Sequence, residues 1–413
     1  MVSVGEAVRT ALPRMRSGAA LLGPALVAAI AYVDPGNVAT NTTAGARYGY
    51  LLVWVLVAAN VMAGLVQYLS AKLGLATGAT LPEAVRDQLR GPVRLAYWAQ
   101  AELVAMATDL AEVLGGAIAL KLLIDVPLLW GGLITGVVST VLLLTQDRRG
   151  QRPFERLVTA MLVVIAVGFA AGLLVSPPAP GGTVAGLVPR FDGADSVLLA
   201  AGMLGATVMP HAVYLHSALA RDRHGRADSR SLPRLLAATR ADVGVAMVVA
   251  GAVNLAILLL AASALRGFEG VDSLEGVHSA LGSTLGGGIA LLFAVGLLAS
   301  GLASTAVGCY AGAVIMDGLL RWRVPLLARR VITLVLALAV LALGMDPTWA
   351  LVLSQVVLSF GIPFALVPLV LLTGSRRVMG AAVNHPITTG LAVVVSLAVI
   401  ALNAVLVVLT VSS

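Results

Sequence analysis

Long apolar runs decide what this chain can fold into. Stretches of 17 to 25 residues with hardly a charge recur from end to end, each enough to cross a hydrocarbon core of about 30 Å. In lipid every backbone N–H and C=O needs a partner within the protein, and segments of this length satisfy that need as helices. Only 11% of residues are charged, against about a quarter in soluble domains, so the chain reads as one all-α integral membrane unit, residues 1–413. Arg9, Arg14 and Arg16 precede an apolar run that leads into further spans, which does not read as a cleavable signal peptide. The single Cys309 lies in an apolar segment, so no disulfide framework is expected.

Eleven spans are predicted, at about 18–44, 48–73, 94–122, 126–145, 154–175, 197–219, 242–264, 284–318, 328–345, 349–373 and 387–410. The longer connections are polar, and the first and third of them, "SPPAPGGTVAGLVPRFDGADS" and "RGFEGVDSLEGVHSALGS", suit a short surface helix. Basic residues mark the cytoplasmic side of a membrane protein. With the N-terminus inside, 23 of the 27 basic residues fall inside, and only Arg47, Lys121, Arg190 and Arg266 fall outside. A missed or invented span would scramble that alternation. The net charge of +7 therefore reads as topology, not as a nucleic-acid partner.

Two spans are built to break. Residues 31–37 read "AYVDPGN", with an acid, a proline, a glycine and an amide inside the first span; "ATVMPHAVYLHSA" interrupts the sixth. Five spans, an odd number, separate them, so a second unit would enter the membrane from the opposite side. Interrupted segments at matching positions of two such halves point to a transporter's midplane site. Proline lacks an N–H and clashes with the carbonyl four residues earlier. Pro35 thus releases the carbonyl of Ala31, and Pro210 that of Ala206. Beside these carbonyls stand the side-chain oxygens of Asp34 and Asn37 and the thioether of Met209, a donor set for a cation. The oxygens suit Mg²⁺, Ca²⁺ and Mn²⁺ alike, whereas a thioether favours borderline or soft metals. A methionine or a proline kink alone is ordinary in a membrane helix. An ionisable Asp is not, because charge at that depth costs roughly 3 kcal/mol or more.

The paired motifs "DPGN" and "MPH" resemble the signatures of the Nramp family of proton-coupled divalent transition-metal transporters, of the bacterial manganese type. "TDLAEVLGGAIAL", "ASGLASTAVGCYAGAVIMDG" and "LSQVVLSFGIPFALVPL" are similar to the family's pattern as well, so the resemblance covers nearly the whole chain. It implies a LeuT-like fold of two inverted five-helix repeats, about 18–175 and 197–373, plus an extra helix at 387–410. It implies uptake of Mn²⁺ or Fe²⁺, with Co²⁺, Cd²⁺ and Zn²⁺ tolerated. Carried over by position, the metal ligands are Asp34, Asn37, Met209 and the carbonyls of Ala31 and Ala206, with Gln355 joining in the outward-facing state. Ala313 stands where many members have glutamine, and there is no twelfth span. A magnesium-transporting branch alters the methionine, and Met209 argues against it.

Asp109 and Glu112, spaced i, i+3, share one face of the third span. Two close carboxylates in a dehydrated place cannot both stay ionised cheaply, which suits proton carriage. The resemblance implies a network of these with Arg330; Arg329 is assigned as a topology charge, and Glu102 is left without a role. It places His211 beside the metal as a proton-pathway residue, not a ligand. His216, about 140° further round the helix, faces another wall and is a weaker member of that path, while His224, His278 and His385 read as solvated. Asp34 is the meeting point of metal and proton.

Other functions fit less well. A carrier of organic solutes would want a roomy pocket and helix N-termini open to a carboxylate. A metal-sensing membrane protein would carry a long soluble tail. A membrane metalloenzyme would want His-rich or multi-carboxylate clusters with an open metal position. The expectation is a transporter without cofactor, whose partners are a divalent metal ion, protons and the lipid bilayer. Arginine outnumbers lysine 25 to 2, which suits a GC-rich genome and so a bacterial plasma membrane, with the N-terminus cytoplasmic and the C-terminus outside.

Overall fold

The computed structural model describes residues 23–228, 230–268, 270–322 and 325–412; Arg9, Arg14, Arg16, Arg323 and the first five residues of the first expected span lie outside them. Helices occupy all eleven expected spans, and no strand occurs among the described residues. In chain order they are α1 (Pro24–Ile30), α2 (Pro35–Tyr48), α3 (Val53–Thr77), α4 (Leu81–Arg86), α5 (Gly91–Ile124), α6 (Leu128–Arg149), α7 (Gln151–Ala170), α8 (Gly172–Val175) and α9 (Pro180–Ala185). There follow α10 (Gly193–Thr207), α11 (Pro210–His224), α12 (Leu232–Ala264), α13 (Leu274–Leu285), α14 (Gly287–Leu320), α15 (Leu326–Ala342), α16 (Pro347–Gly374), α17 (Arg376–Met379) and α18 (Pro386–Ser412). Among the described residues, eight stretches are long and apolar enough to cross a membrane by themselves, with Pro24–Val33 and Leu128–Leu144 as shorter apolar helices.

Both expected breaks are present, and their chemistry is alike. A 3-10 turn, Ala31–Val33, ends the first half of the first span; Asp34 is extended (φ −80°, ψ 169°), and Pro35 opens α2. In the sixth span α10 ends at Thr207, Met209 is extended (φ −77°, ψ 122°), and Pro210 opens α11. A residue before proline is pushed out of the helical region, and proline itself is preorganised for the first helical position. The same dipeptide therefore ends one helix and starts the next.

The expected surface helices are found as α9 and α13. One expected loop is not a loop. The seventh span was placed at 242, yet α12 begins ten residues earlier, at Leu232, with Pro233 in its first turn. Leu232, Leu235 and Leu236 of "LPRLLAATRAD" share one face and pack on Ala71, Leu75 and Ala220, so the helix extends ahead of the apolar run as an amphipathic segment. Arg234 and Arg240 in this stretch also satisfy the positive-inside rule, which hides the period in the sequence.

At the centre α14 packs on α5, α7, α11 and α6. Close approach comes from small residues: a Cβ on Gly301 would sit 2.8 Å from the Gly116 nitrogen and 3.0 Å from the Glu112 carbonyl oxygen. Without a hydrophobic drive between helices in lipid, such backbone-to-backbone packing holds a bundle together.

Candidate metal-binding site

The two breaks meet directly, with α5 and α16 packed beside them. Asp34 and Asn37 are wholly buried, as are Ala31, Ala206 and Met209. Asp34 caps α2: its Oδ1 accepts from the Asn37 backbone N–H at 2.8 Å and from Asn37 Nδ2, also at 2.8 Å. Asn37 Nδ2 donates as well to the Ala206 carbonyl at 2.8 Å, so one amide joins both halves of the site. This differs from the expected use of the Asn37 oxygen, which instead accepts from Thr207 Oγ1 at 3.4 Å. The reason is simple. A carboxylate and a freed carbonyl are both acceptors, and the amide NH₂ supplies the donor between them.

Two other acceptors have no hydrogen-bond partner although they are buried, Asp34 Oδ2 and Gln355 Oε1. Gln355, on α16, packs its carboxamide directly on Gly36, where a Cβ would collide with Nε2 and Cδ. Buried polar oxygens without partners are rare and call for an explanation; here two of them lie at the break. The remaining backbone of the break is satisfied: Asn254 donates to the Tyr32 carbonyl at 2.6 Å and Ser300 to the Val33 carbonyl at 2.5 Å. Neither reaches Ala31. No group of three or more His, Cys, Asp or Glu is placed to hold a metal among the described residues, so a cation here would depend on amide, carbonyl and thioether donors.

The acidic face of α5 leads away from this point. Asp109 and Glu112 are wholly buried, and both point at Gly308 of α14, whose Cβ would lie 3.2 Å from Asp109 Oδ1 and 2.9 Å from Glu112 Oε2. Glu112 is in electrostatic range of Asp109, Asp34 and Arg330, and Asp109 of Arg329 and Arg330. Arg330 is 1% exposed and donates to Ser139 at 2.7 Å. Arg329 corrects the sequence reading. It is 3% exposed and forms an ion pair with Glu102, so it is an internal charge and not a topology marker. Its neighbour fixes why: two consecutive arginines in α15 both meet protein, because α15 packs on α6, α5 and α14.

His211 and His216 part company as expected. His211 Nδ1 lies 3.3 Å from Thr108 Oγ1 and its Nε2 has no partner, whereas His216 Nδ1 lies 2.7 Å from Gln67 Oε1. Gln67 donates in turn to the Tyr32 hydroxyl, next to Ala31. His224, at the end of α11, and His278, on α13, are half-buried and not solvated as expected, whereas His385 is exposed. Gln67, Asn254, Thr207 and Ser300 went unremarked in the sequence. Gln67 and Asn254 carried a signal, as amides in the middle of apolar spans.

At the N-terminal end of the first span, Asp242 of α12 accepts from the Gly23 and Ala25 backbone N–H groups at 3.0 and 2.9 Å and so holds the start of α1. Arg223 and Glu155 pair beside it at 2.7 Å.

A family model described as Nramp, natural resistance-associated macrophage protein-like, matches residues 25–409. The chain belongs to the Nramp family. Among its relatives, a divalent metal cation transporter MntH of Mycobacterium tuberculosis (strain CDC 1551 / Oshkosh) is 62% identical over 410 residues, covering 99% of this chain and 96% of its own. A protein of the same name from Deinococcus radiodurans is 49% identical over 397 residues, 95% and 92% of the two chains. The crystal structure of the Eremococcus coleocola manganese transporter, in complex with an aromatic bis-isothiourea substituted compound, superposes with a TM-score of 0.86 at 31% identity, covering 95% of this chain and 87% of that one. Mhp1, a nucleobase-cation-symport-1 family transporter, matches over 94% and 89% of the two chains with a TM-score of 0.61 at 16% identity, a likeness of fold alone. This Nramp chain is thus an all-α membrane protein with the LeuT-like fold, two inverted five-helix repeats and one extra helix.

Proposed function

We propose that this chain carries divalent transition-metal ions, Mn²⁺ first and Fe²⁺ next, with Co²⁺, Cd²⁺ and Zn²⁺ tolerated, into the cell together with protons. Divalent metal transport is the function named for its relatives from Mycobacterium tuberculosis and Deinococcus radiodurans. The observation that carries the reading is the pair of partnerless oxygens, Asp34 Oδ2 and Gln355 Oε1, buried where the two breaks meet. A cation between them takes Asp34 and Asn37, the carbonyls of Ala31 and Ala206, Met209 and, facing outward, Gln355. Its arrival turns the Asn37 carboxamide, because the oxygen and not the NH₂ must then face the ion.

Proton and metal meet at Asp34. A dication at its carboxylate favours the ionised form, so a resident proton leaves towards Glu112, Asp109 and Arg330, with His211 and, less directly, His216 beside the path. An inward electrical potential then drives entry, at about 2.3 kcal/mol per charge per 100 mV. Alternating access rocks the unit carrying α1, α2, α10 and α11 against the rest, with repeats at about 18–175 and 197–373 and the extra helix at 387–410. The site lies in a bacterial plasma membrane, N-terminus cytoplasmic and C-terminus outside. The chain acts as a carrier, with the metal as cargo and without a resident cofactor.

Reconstituted in liposomes, wild type should take up Mn²⁺ and acidify the lumen, and Asp34→Ala should abolish both fluxes. Undiminished Mn²⁺ uptake by that variant removes the site assignment. Uptake without acidification removes the proton coupling.

A further inference from the structure

Three of the four basic residues on the side opposite the arginine-rich loops line one cavity. It measures about 290 Å³, and Arg47, Arg190 and Arg266 line it together with Tyr48, Tyr50 and one acid, Asp192. Charge of this sign has no topological reason to gather here, since basic loops belong to the other side of the membrane.

The three guanidiniums are not equivalent. Arg47, in the last turn of α2, is held by Asp272 through Nε at 2.9 Å and Nη2 at 2.5 Å. Arg190 and Arg266 make no ion pair or side-chain hydrogen bond among the described residues. Arg266 lies over the end of α2: a Cβ on Gly49 would come within 3.3 Å of its Nη1. With Arg47 held by Asp272, the guanidiniums of Arg190 and Arg266 are left in the cavity without a hydrogen-bond partner among the described residues.

The cavity is built, not incidental. The segment carrying α9 is pinned to the turn between α2 and α3 by four contacts. The Ala179 N–H donates to the Tyr50 hydroxyl at 3.0 Å, the Trp54 N–H to the Gly186 carbonyl at 2.9 Å, and Trp54 Nε1 to the Arg190 carbonyl at 3.2 Å. Trp54 and Phe191 meet edge to face at 5.3 Å. Beside the guanidiniums the same segment exposes Val184, Leu187, Val188 and Phe191, at 66%, 48%, 60% and 47%.

Two guanidiniums without hydrogen-bond partners, next to an exposed apolar strip and an aromatic pair, match one kind of occupant. We infer that this cavity seats a phospholipid of the adjoining leaflet, its phosphodiester between Arg190 and Arg266 and its acyl chains along Val184, Leu187, Val188 and Phe191. A phosphodiester supplies the anionic acceptor oxygens that these two guanidiniums lack, and guanidiniums bind it bidentately. The strip and the Trp54–Phe191 pair sit where aromatic residues mark the membrane interface. The seat is at the end of α2, the half-helix that holds Asp34 and Asn37, so the lipid buttresses the outer end of the site.

The test is a phosphatidylglycerol titration of the full chain in detergent, read by native mass spectrometry, with inorganic phosphate as a separate arm. Wild type should retain one lipid per chain. Arg190→Gln/Arg266→Gln should weaken it roughly 30-fold, at about fivefold per surface guanidinium, and Val188→Ser/Phe191→Ser should weaken it as well. Each arginine is also replaced singly, so that a misfolded double variant does not decide the outcome. Equal retention by wild type and the arginine variants overturns the proposal. So does displacement of the lipid by inorganic phosphate with no effect of the Val188/Phe191 change, which would make the cavity a site for a free oxyanion.

Discussion

Gly115→Ala tests whether the break in the first span is held rigidly against the acidic helix. Gly115 lies one turn beyond Glu112 on α5, and a Cβ placed there would run into Cβ and Cγ of Pro35. Neither side can yield cheaply. The proline ring has no rotamer to escape into, and α5 is fixed behind by Gly301, whose own Cβ position is only 2.8 Å from the Gly116 nitrogen. Reaching ordinary carbon–carbon contact requires a separation of more than about 1 Å. Overpacking of this kind costs typically about 1–3 kcal/mol, and a shift of about 1 Å in a ligand constellation can cost on the order of 100-fold in rate. Here the displaced residue adjoins Asp34. Gly115→Ala should therefore lower the Mn²⁺ uptake rate in proteoliposomes by about tenfold or more and lower the unfolding temperature in detergent. Gly244→Ala is the control: it lies in α12 with nothing within 4 Å of a new Cβ, and removing a mid-helix glycine should be neutral or stabilising by up to about 1 kcal/mol. Wild-type uptake and stability in Gly115→Ala would refute the claim that Pro35 is locked against α5.

If Met209 discriminates against the hard alkaline earths, Met209→Ala should let Ca²⁺ or Mg²⁺ compete with Mn²⁺ in uptake assays, and an unchanged competition profile would remove its role as filter. Glu102→Ala leaves Arg329 buried without its partner and should cost about 3–5 kcal/mol, whereas Glu102→Gln/Arg329→Gln should recover part of the loss; thermal unfolding of both variants checks this. Glu83, in α4, titrates on the acid side. Burial works to raise its pKa, but the Thr80 backbone N–H and Arg221 outweigh burial and hold it below the usual carboxylate range. A lowered folded-state pKa means that its stabilisation is complete above the ordinary glutamate value of about 4.3 and lost as pH falls through the lower folded value. Wild type should thus exceed Glu83→Gln in unfolding temperature at neutral pH, by under about 1 kcal/mol for so exposed a pair, and the two should converge in acid.

What could be read from the sequence followed from local rules. An apolar run of a given length must be helix in lipid, and an X–Pro step must break it at a known residue, so the spans, Ala31–Pro35 and Ala206–Pro210 were legible without any partner. The start of α12 was not, because the amphipathic period in "LPRLLAATRAD" is short and its arginines also satisfy the topology rule. Arg329 was misjudged for a related reason: a charge near a span end obeys the positive-inside rule whether it faces water or protein, and only the packing of α15 on α6, α5 and α14 tells the two apart.

The ligand types were legible, but the direction of the Asn37 amide was not, since that depends on what stands opposite. Once the Ala206 carbonyl and Asp34 Oδ1 converge on one point, an NH₂ must lie between them, and the residue that caps the break from inside the protein is the same one that must turn to admit a cation. The satisfied carbonyls of Tyr32 and Val33 sharpen this further. Asn254 and Ser300 satisfy the Tyr32 and Val33 carbonyls of the 3-10 turn, while Asp34 Oδ2 and Gln355 Oε1 stay without partners beside it. These two acceptors lie next to the carbonyl that Pro210 released from the opposite half, which is where a cation would be held.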